Sequence, residues 1–368
     1  MPPKLAIREE TEMDLPIFDP NQKSLLFFSR GRGRGHAIPD AAIFEEISRL
    51  RDDVDIRFVS YGTGAATLQE FGLPLIDLQV GDFCPAPPIQ VAAAKLIGCM
   101  RPDLVVSHEE FGVLPMAKVY EKPALYITDW FEAEQSFSSE CLLFASEILF
   151  IDAEGVFAEP TWVQGKVRYV GPVLRDLHYR ADDRERARAE AGISPETLLV
   201  LAAPGSWSEQ AVPTLDLLLG ALDRVAAPSK RLLWLAGNDA EHLRSRLGGR
   251  KDVTVLDFDP LVERWLVAAD HIVTKGSRKT LQEVEFLGLE ATALIRRSSP
   301  LNPIDLRFAD ALGNVEVLDP DAADALDHLI RRLSGPARRP AKARAHLASS
   351  GKTAVAQRIS QWLDGKGC

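Results

Sequence analysis

The chain has little cysteine: only four in 368 residues, at Cys84, Cys99, Cys141 and Cys368. They are widely scattered, with no C-x-x-C pair and no histidine at ligand spacing, which argues against a disulfide framework and a structural zinc and fits a reducing compartment. Positive charge is in deficit as well, 43 Lys and Arg against 53 Asp and Glu, for a net charge of −10. Such a balance offers no global attraction to a nucleic-acid backbone, so no nucleic-acid partner is expected. No run of about 18 uninterrupted apolar residues occurs, which excludes a spanning helix. The segment Met1 to Gln22 has acids and prolines in place of a basic region followed by an apolar one, so neither a signal peptide nor an anchor is expected, and a cytoplasmic location is. What is present is ordinary globular composition, 46% hydrophobic and 26% charged, in a length that suits two domains.

Apolar runs bounded by loops alternate with segments of helical periodicity along most of the chain. Ser24 to Ser29 reads as a strand, Arg30 to His36 as a glycine-rich loop and Ala37 to Leu50 as a helix. Strand-like runs recur at Asp55 to Ser60, Leu75 to Leu78, Leu104 to Ser107, Ala124 to Thr128 and Ile148 to Asp152, with helix-like stretches between them, including Ser138 to Ala145. The rhythm breaks at Val167 to Arg175, and the charged stretch Arg180 to Glu190 reads as a solvated helix. A second series follows, with strands at Leu198 to Ala202, Arg231 to Ala236, Val253 to Asp257, His271 to Thr274 and Ala291 to Ile295. This alternation predicts an α/β protein of two doubly wound Rossmann-like domains. The expected divisions are an extension at 1–22, a first domain at 23–172, a second at 173–335 and a helical tail at 336–368.

In open parallel sheets ligands bind beyond the carboxyl ends of the strands, which singles out the loops there. The Arg30 to His36 loop brings Gly35 and His36 to the start of a helix, where backbone can approach a ligand closely and an anion is favoured. Lys275, Gly276, Ser277, Arg278, Lys279 and Thr280 precede a helix carrying Glu283; small residues and cations at a helix start suit a diphosphate, and Glu283 lies one turn on. Gly205 and Ser206, after the first strand of the second series, offer a second wall for the same pocket. Phe258 follows another strand of that series and could flank a base, though an aromatic there is more often a core residue. Glu109, Glu110 and Asp129 follow strands of the first series, with His108 beside them.

Together these segments resemble the GT-B-fold, nucleotide-sugar-dependent glycosyltransferases, and within them the N-acetylglucosaminyltransferases of peptidoglycan lipid synthesis. The likeness runs in order over residues 24 to 315. Gly35-His36 followed by Pro39 resembles that family's first glycine loop, and Tyr169 to Arg175 its interdomain Gly-Asn-Pro-Val-Arg element. Phe258-Asp259 resembles its base-binding loop, and Thr274 to Leu289 its donor signature, in which the glutamate matching Glu283 holds the ribose. Two departures stand out. Ala202-Ala203-Pro204-Gly205-Ser206 replaces the usual Gly-Gly-Ser-type loop, and the glutamine pair that touches the donor sugar is missing, leaving Asn302 and Asp305 as substitutes.

The resemblance implies two domains facing across a cleft and an inverting transfer of sugar from a nucleotide diphosphosugar, UDP-linked, to an acceptor hydroxyl. No cofactor and no metal are expected, because helix N-termini with Lys275 and Arg278 can offset the charge on the leaving diphosphate. His36 is the expected general base, with Asp129 and Glu109 as rivals or orienting partners. The alternatives are a nucleotide-sugar hydrolase or 2-epimerase on the same fold, and a non-catalytic nucleotide-sugar-binding subunit. The acceptor is left open between a small molecule and a lipid-linked one. The apolar segment Cys141 to Phe150 reads as buried, and peripheral membrane contact stays open with it.

Overall fold

The computed structural model describes residues 17–81, 86–131, 140–152, 154–155, 157–204, 211–236, 240–247, 249–259, 261–298, 303–335 and 350–367. Among the described residues the strands form two wholly parallel sheets. The first comprises β1 (Lys23–Ser29), β2 (Val54–Ser60), β3 (Leu75–Asp77), β4 (Leu104–His108), β5 (Ala124–Thr128), β6 (Glu147–Phe150) and β7 (Val167–Tyr169), in the order β3-β2-β1-β4-β5-β6-β7. The second comprises β8 (Thr197–Ala203), β9 (Ser229–Leu235), β10 (Val253–Leu256), β11 (His271–Thr274), β12 (Ala291–Leu294) and β13 (Val315–Leu318), in the order β10-β9-β8-β11-β12-β13. In both sheets the strand order reverses beside the first strand, between β1 and β4 and between β8 and β11. The ends of those strands frame each sheet's crevice.

Parallel strands covered on both faces have near-continuous apolar sequences, and the central strands conform. In β1, Leu26 and Phe28 enter the core on one face while Leu25 and Phe27 enter that on the other, all at most 1% exposed. In β8 the same alternation sends Leu199 and Leu201 one way and Val200 and Ala202 the other. The C-terminal helix Lys352–Leu363 returns to the first sheet: Val355, Ala356, Ile359 and Leu363 join its core against the helix Ala37–Leu50. It is held there by Arg358 Nε and Trp362 Nε1, which both donate to Glu147 Oε2 at 2.6 and 2.7 Å.

Several local expectations are corrected. Arg180 to Glu190 is a single 3-10 turn, Ala181–Asp183, then a short helix, Arg184–Glu190, and it is not merely solvated. Arg188 is 4% exposed and donates to the carbonyls of Ala268, Ser194 and Thr197 and to Asp270. Of the stretch expected as a helix at Ser138 to Ala145, residues 138 and 139 lie outside the described residues, and Leu142–Phe144 is a 3-10 turn. Leu143 and Phe144 there are 47% and 43% exposed, whereas Leu142 and the strand Glu147–Phe150 are buried. The helix Ala86–Met100 and the strands β7 and β13 were not anticipated.

Candidate functional site

A cleft of about 600 Å³ lies between the two sheets, lined by loops from both. On the first-sheet side stand Gly35, His36, His108, Glu109 and Asp129; on the other stand Phe258, Lys275, Ser277, Arg278, Thr280, Glu283 and Asp305, with Arg175 on the connecting segment. Gly205, Ser206 and Asn302 lie outside the described residues.

The first-sheet wall is built where β1 and β4 diverge. Gly31 is packed so tightly under Tyr61 that a Cβ would come within 2.2 Å of the Tyr61 carbonyl oxygen, and Gly64 N–H donates to Gly31 O at 2.8 Å. The loop thus held places His36 Nε2 2.9 Å from Glu109 Oε2. Glu109 also takes Arg30 Nη1 at 3.3 Å on Oε2 and Thr128 Oγ1 at 3.0 Å on Oε1. Its backbone sits at φ 58°, a left-handed conformation uncommon outside glycine and typical of strained functional positions. Burial opposes the charge on Glu109, but His36, Arg30 and Arg278 outweigh it and hold the carboxyl well below its usual range. Burial pushes His36 below 6.5, against the upward pull of Glu109. A neutral imidazole near pH 7 is the form able to accept a proton. Its Nδ1 is shielded and makes no hydrogen bond among the described residues.

Behind His36 lies His108, with ring centroids 4.8 Å apart and edge to face. His108 is 1% exposed, and its Nδ1 is 2.7 Å from Oδ1 of the fully buried Asp40. Glu110 faces away to Tyr61 OH at 2.7 Å, and burial raises its carboxyl to about 7. His36, His108 and Glu109 offer ligand atoms within 4.8 Å of one another, a grouping that sequence spacing did not reveal. Those atoms belong to a hydrogen-bonded network in which Arg30 shares Glu109 Oε2, a positive charge placed where a cation's ligand would have to serve.

On the opposite wall, β11 ends in Lys275-Gly276-Ser277 before the helix Arg278–Phe286. Gly276 has φ 88°, and a Cβ there would lie 2.5 Å from Ile295 Cδ1, so the turn requires glycine. Its cations do not stand open. Asp129, expected as a rival base, spans the cleft to Arg278 Nη2 at 2.8 Å and Lys279 Nζ at 3.3 Å. Burial disfavours its charge, but these two cations lower its pKa below the usual value. Lys275 is paired electrostatically with Asp305; burial lowers the pKa of the lysine and raises that of the acid.

Two further residues are engaged differently from their sequence expectation. Phe258 meets Phe71, at the end of the helix Gly62–Glu70 of the first domain, edge-on at 6.4 Å, with the Arg34 guanidinium 4.0 Å over its ring. Glu283 is ion-paired with Arg175, Nε to Oε1 at 3.2 Å, and burial raises its carboxyl despite that partner. Arg34 and Arg175 were visible only as part of an Arg-Gly run and of an interdomain motif. Gln282 Nε2 adds a buried bridge between the two domains, donating to Asp152 Oδ2 at 2.9 Å.

Two Rossmann-like domains facing across such a cleft are the GT-B architecture, the fold class expected from sequence. Within that class, the chain is similar to a UDP-N-acetylglucosamine–N-acetylmuramyl-(pentapeptide) pyrophosphoryl-undecaprenol N-acetylglucosamine transferase of Parabacteroides distasonis, 24% identical over 293 residues, 73% of this chain and 77% of that one. The enzyme of the same name from Carboxydothermus hydrogenoformans is 23% identical over 285 residues, 70% of this chain and 74% of that one. Among solved structures, the glycotransferase of kitacinnamycin has a TM-score of 0.68 at 17% identity, over 93% of this chain and 100% of that one. Acinetobacter baumannii MurG has 0.62 at 15%, over 92% and 99%. A putative UDP-N-acetylglucosamine 2-epimerase from Listeria monocytogenes has 0.60 at 14%, over 94% and 96%. No family model matches the chain, and no described helix is long and apolar enough to cross a membrane.

Proposed function

We propose that this chain is an inverting, metal-independent glycosyltransferase that moves a sugar from a UDP-sugar, bound against the second sheet, to an acceptor hydroxyl bound against the first. The observation that carries this reading is the confrontation, in one cleft, of a half-buried imidazole held by a carboxylate with a cationic helix start on the other domain. In the step, the acceptor oxygen attacks the anomeric carbon as the bond from that carbon to the diphosphate oxygen breaks. The hydroxyl proton passes to the His36 imidazole, while Glu109 orients the ring and balances the imidazolium that forms. Lys275, Arg278 and Lys279, with the backbone at Gly276 and Ser277 and the Thr280 side chain, receive the diphosphate. Glu283 takes the ribose hydroxyls, and Asp305 reaches the sugar. Gly35 and Phe258 complete the pocket walls. Asp129 acts in this scheme as a counter-charge to Arg278 and Lys279.

The acceptor is a small hydroxyl compound or a lipid-linked one of the kind the relatives' names specify. A lipid-linked acceptor calls for peripheral membrane contact, and Leu143 and Phe144 are the exposed apolar side chains of the segment singled out for it. The grouping of His36, His108 and Glu109, with Asp129 in the same cleft, favours a second reading, a UDP-sugar 2-epimerase. One assay separates the two. UDP-N-acetylglucosamine is incubated alone and with hydroxyl acceptors, and free UDP, 2-epimer and the product anomer are followed by NMR. Acceptor-dependent UDP release with an inverted anomeric centre, abolished in His36→Ala while UDP still binds, is expected. Epimer formed without acceptor overturns the transferase reading.

A further inference from the structure

We infer that Arg175, on the segment joining the two domains, is a positioning residue that fixes Glu283 for the donor's ribose and sets the preference for a ribonucleotide. This rests on the reading of Glu283 as the ribose ligand. Arg175 is held at both ends of its fork. Nη2 meets Glu263 Oε2 at 2.8 Å and Nε meets Glu283 Oε1 at 3.2 Å. Glu263 cannot swing away: its side chain has no exposed surface, and its other oxygen accepts His178 N–H at 3.2 Å. Because a guanidinium is planar and rigid, the ion pair that Nη2 makes with the fixed Glu263 carboxylate restricts where Nε can point, and through its hydrogen bond the Glu283 carboxylate. Arg175 engages one oxygen of Glu283, and Oε2 makes no hydrogen bond among the described residues, which leaves an acceptor for a hydroxyl.

The backbone beneath Arg175 is equally fixed. Leu174 N–H donates to Ser350 Oγ at 2.8 Å, and Ser350 Oγ donates back to Leu174 O at 2.9 Å. Gly351 N–H donates to Pro172 O at 2.7 Å, just before the helix that packs on the first sheet. The side chain that orients Glu283 therefore starts where the two chain crossings are stitched together. Removing the guanidinium leaves a buried carboxylate beside Glu263 with its pairing lost, free to turn or to stay protonated.

The test is the affinity of the full chain for UDP and for 2′-deoxy-UDP, by calorimetry, in wild type, Glu283→Gln, Arg175→Ala and Arg175→Lys. Binding of 2′-deoxy-UDP also reports that each variant is folded. Wild type is expected to prefer UDP by about tenfold or more, the ratio given by a hydrogen bond to a charged group. Glu283→Gln and Arg175→Ala should both bring that ratio close to one while 2′-deoxy-UDP binding changes little, and Arg175→Lys should fall between. Should Arg175→Ala not fold, the ratio in Arg175→Lys decides: an undiminished preference overturns the inference. A preference retained in Arg175→Ala and lost in Glu283→Gln overturns the role of Arg175 and leaves the ribose reading standing. Equal weakening of both nucleotides by Arg175→Ala overturns it too, pointing to a phosphate contact. No preference in wild type, with Glu283→Gln unchanged, overturns the ribose reading itself.

Discussion

Asp129→Asn is the substitution whose outcome the cleft determines most sharply. The Asp129 side chain is 6% exposed and contacts Arg278 at 2.8 Å and Lys279 at 3.3 Å, each about one-fifth exposed. Two unit charges about 4 Å apart interact by roughly 4 kcal/mol at an effective dielectric constant near 20, a ceiling that solvent in the cleft reduces. Close interfacial charge pairs measure about 1.5 kcal/mol and upward, so the lower end of that range suits partners this exposed. The carboxamide keeps the shape of Asp129 and removes its charge. The ligand-free protein should lose about 1 to 3 kcal/mol of stability, since two cations lose their partner, and melt several degrees lower. Nucleotide binding should move the opposite way, because the diphosphate of UDP no longer competes with a resident carboxylate. An increase in affinity of about tenfold corresponds to 1.4 kcal/mol, a conservative share of the interaction removed. Thermal melting and UDP calorimetry on the same preparation read both effects. A variant that binds UDP no more tightly than wild type refutes the idea that Asp129 occupies the charge environment the diphosphate needs.

The pH dependence of kcat/KM should show an acid limb below 6.5, since burial lowers the pKa of His36. Glu109 pulls that value up, so Glu109→Gln should move the limb to still lower pH, and a shift upward would contradict the assignment. Stability should fall along with it: between the depressed value in the fold and 6.5 the unfolded chain binds the extra proton, so acidification through that window favours unfolding; His36→Gln should flatten this slope in denaturant titrations. Gly276→Ala sets a side chain at φ 88° against Ile295 and should cost about 1 to 3 kcal/mol, seen in the melting temperature, together with weakened UDP binding. Arg188→Met, which removes the donor to the Ala268, Ser194 and Thr197 carbonyls and one partner of Asp270, should destabilise by about 2 to 4 kcal/mol in urea unfolding while leaving UDP affinity unchanged once folded.

The architecture was legible because the central strands of parallel sheets must be apolar on both faces. Leu25 to Phe28 and Leu198 to Ala202 announce themselves as such. β7 and β13 were not legible, since Val167 to Tyr169 and Val315 to Val317 are only partly buried or exposed and carry polar residues that break the run. The glycine loop, His36 and the Lys275 turn were found because local chemistry marks them. Glu109, 73 residues from His36, was already a candidate orienting partner because it follows a strand, whereas the pairing of Glu283 with Arg175, 108 residues away, was hidden by distance along the chain. Arg188 read as solvated because charge patterning cannot distinguish a surface arginine from one whose guanidinium is spent on carbonyls at helix and strand ends. Phe258 was noticed for its place after a strand, but only the fold brings Arg34 and Phe71 to it.

Calorimetric titration of the wild-type chain with UDP, with GDP and dTDP as controls, and of Glu283→Ala with UDP, tests the central claim most directly. Selective binding of UDP, weakened by about 1 to 3 kcal/mol in Glu283→Ala as expected for a lost hydrogen bond to a charged group, is the predicted result. Absence of nucleotide binding, or binding indifferent to both the base and Glu283, would contradict the account of this cleft as a UDP-sugar site.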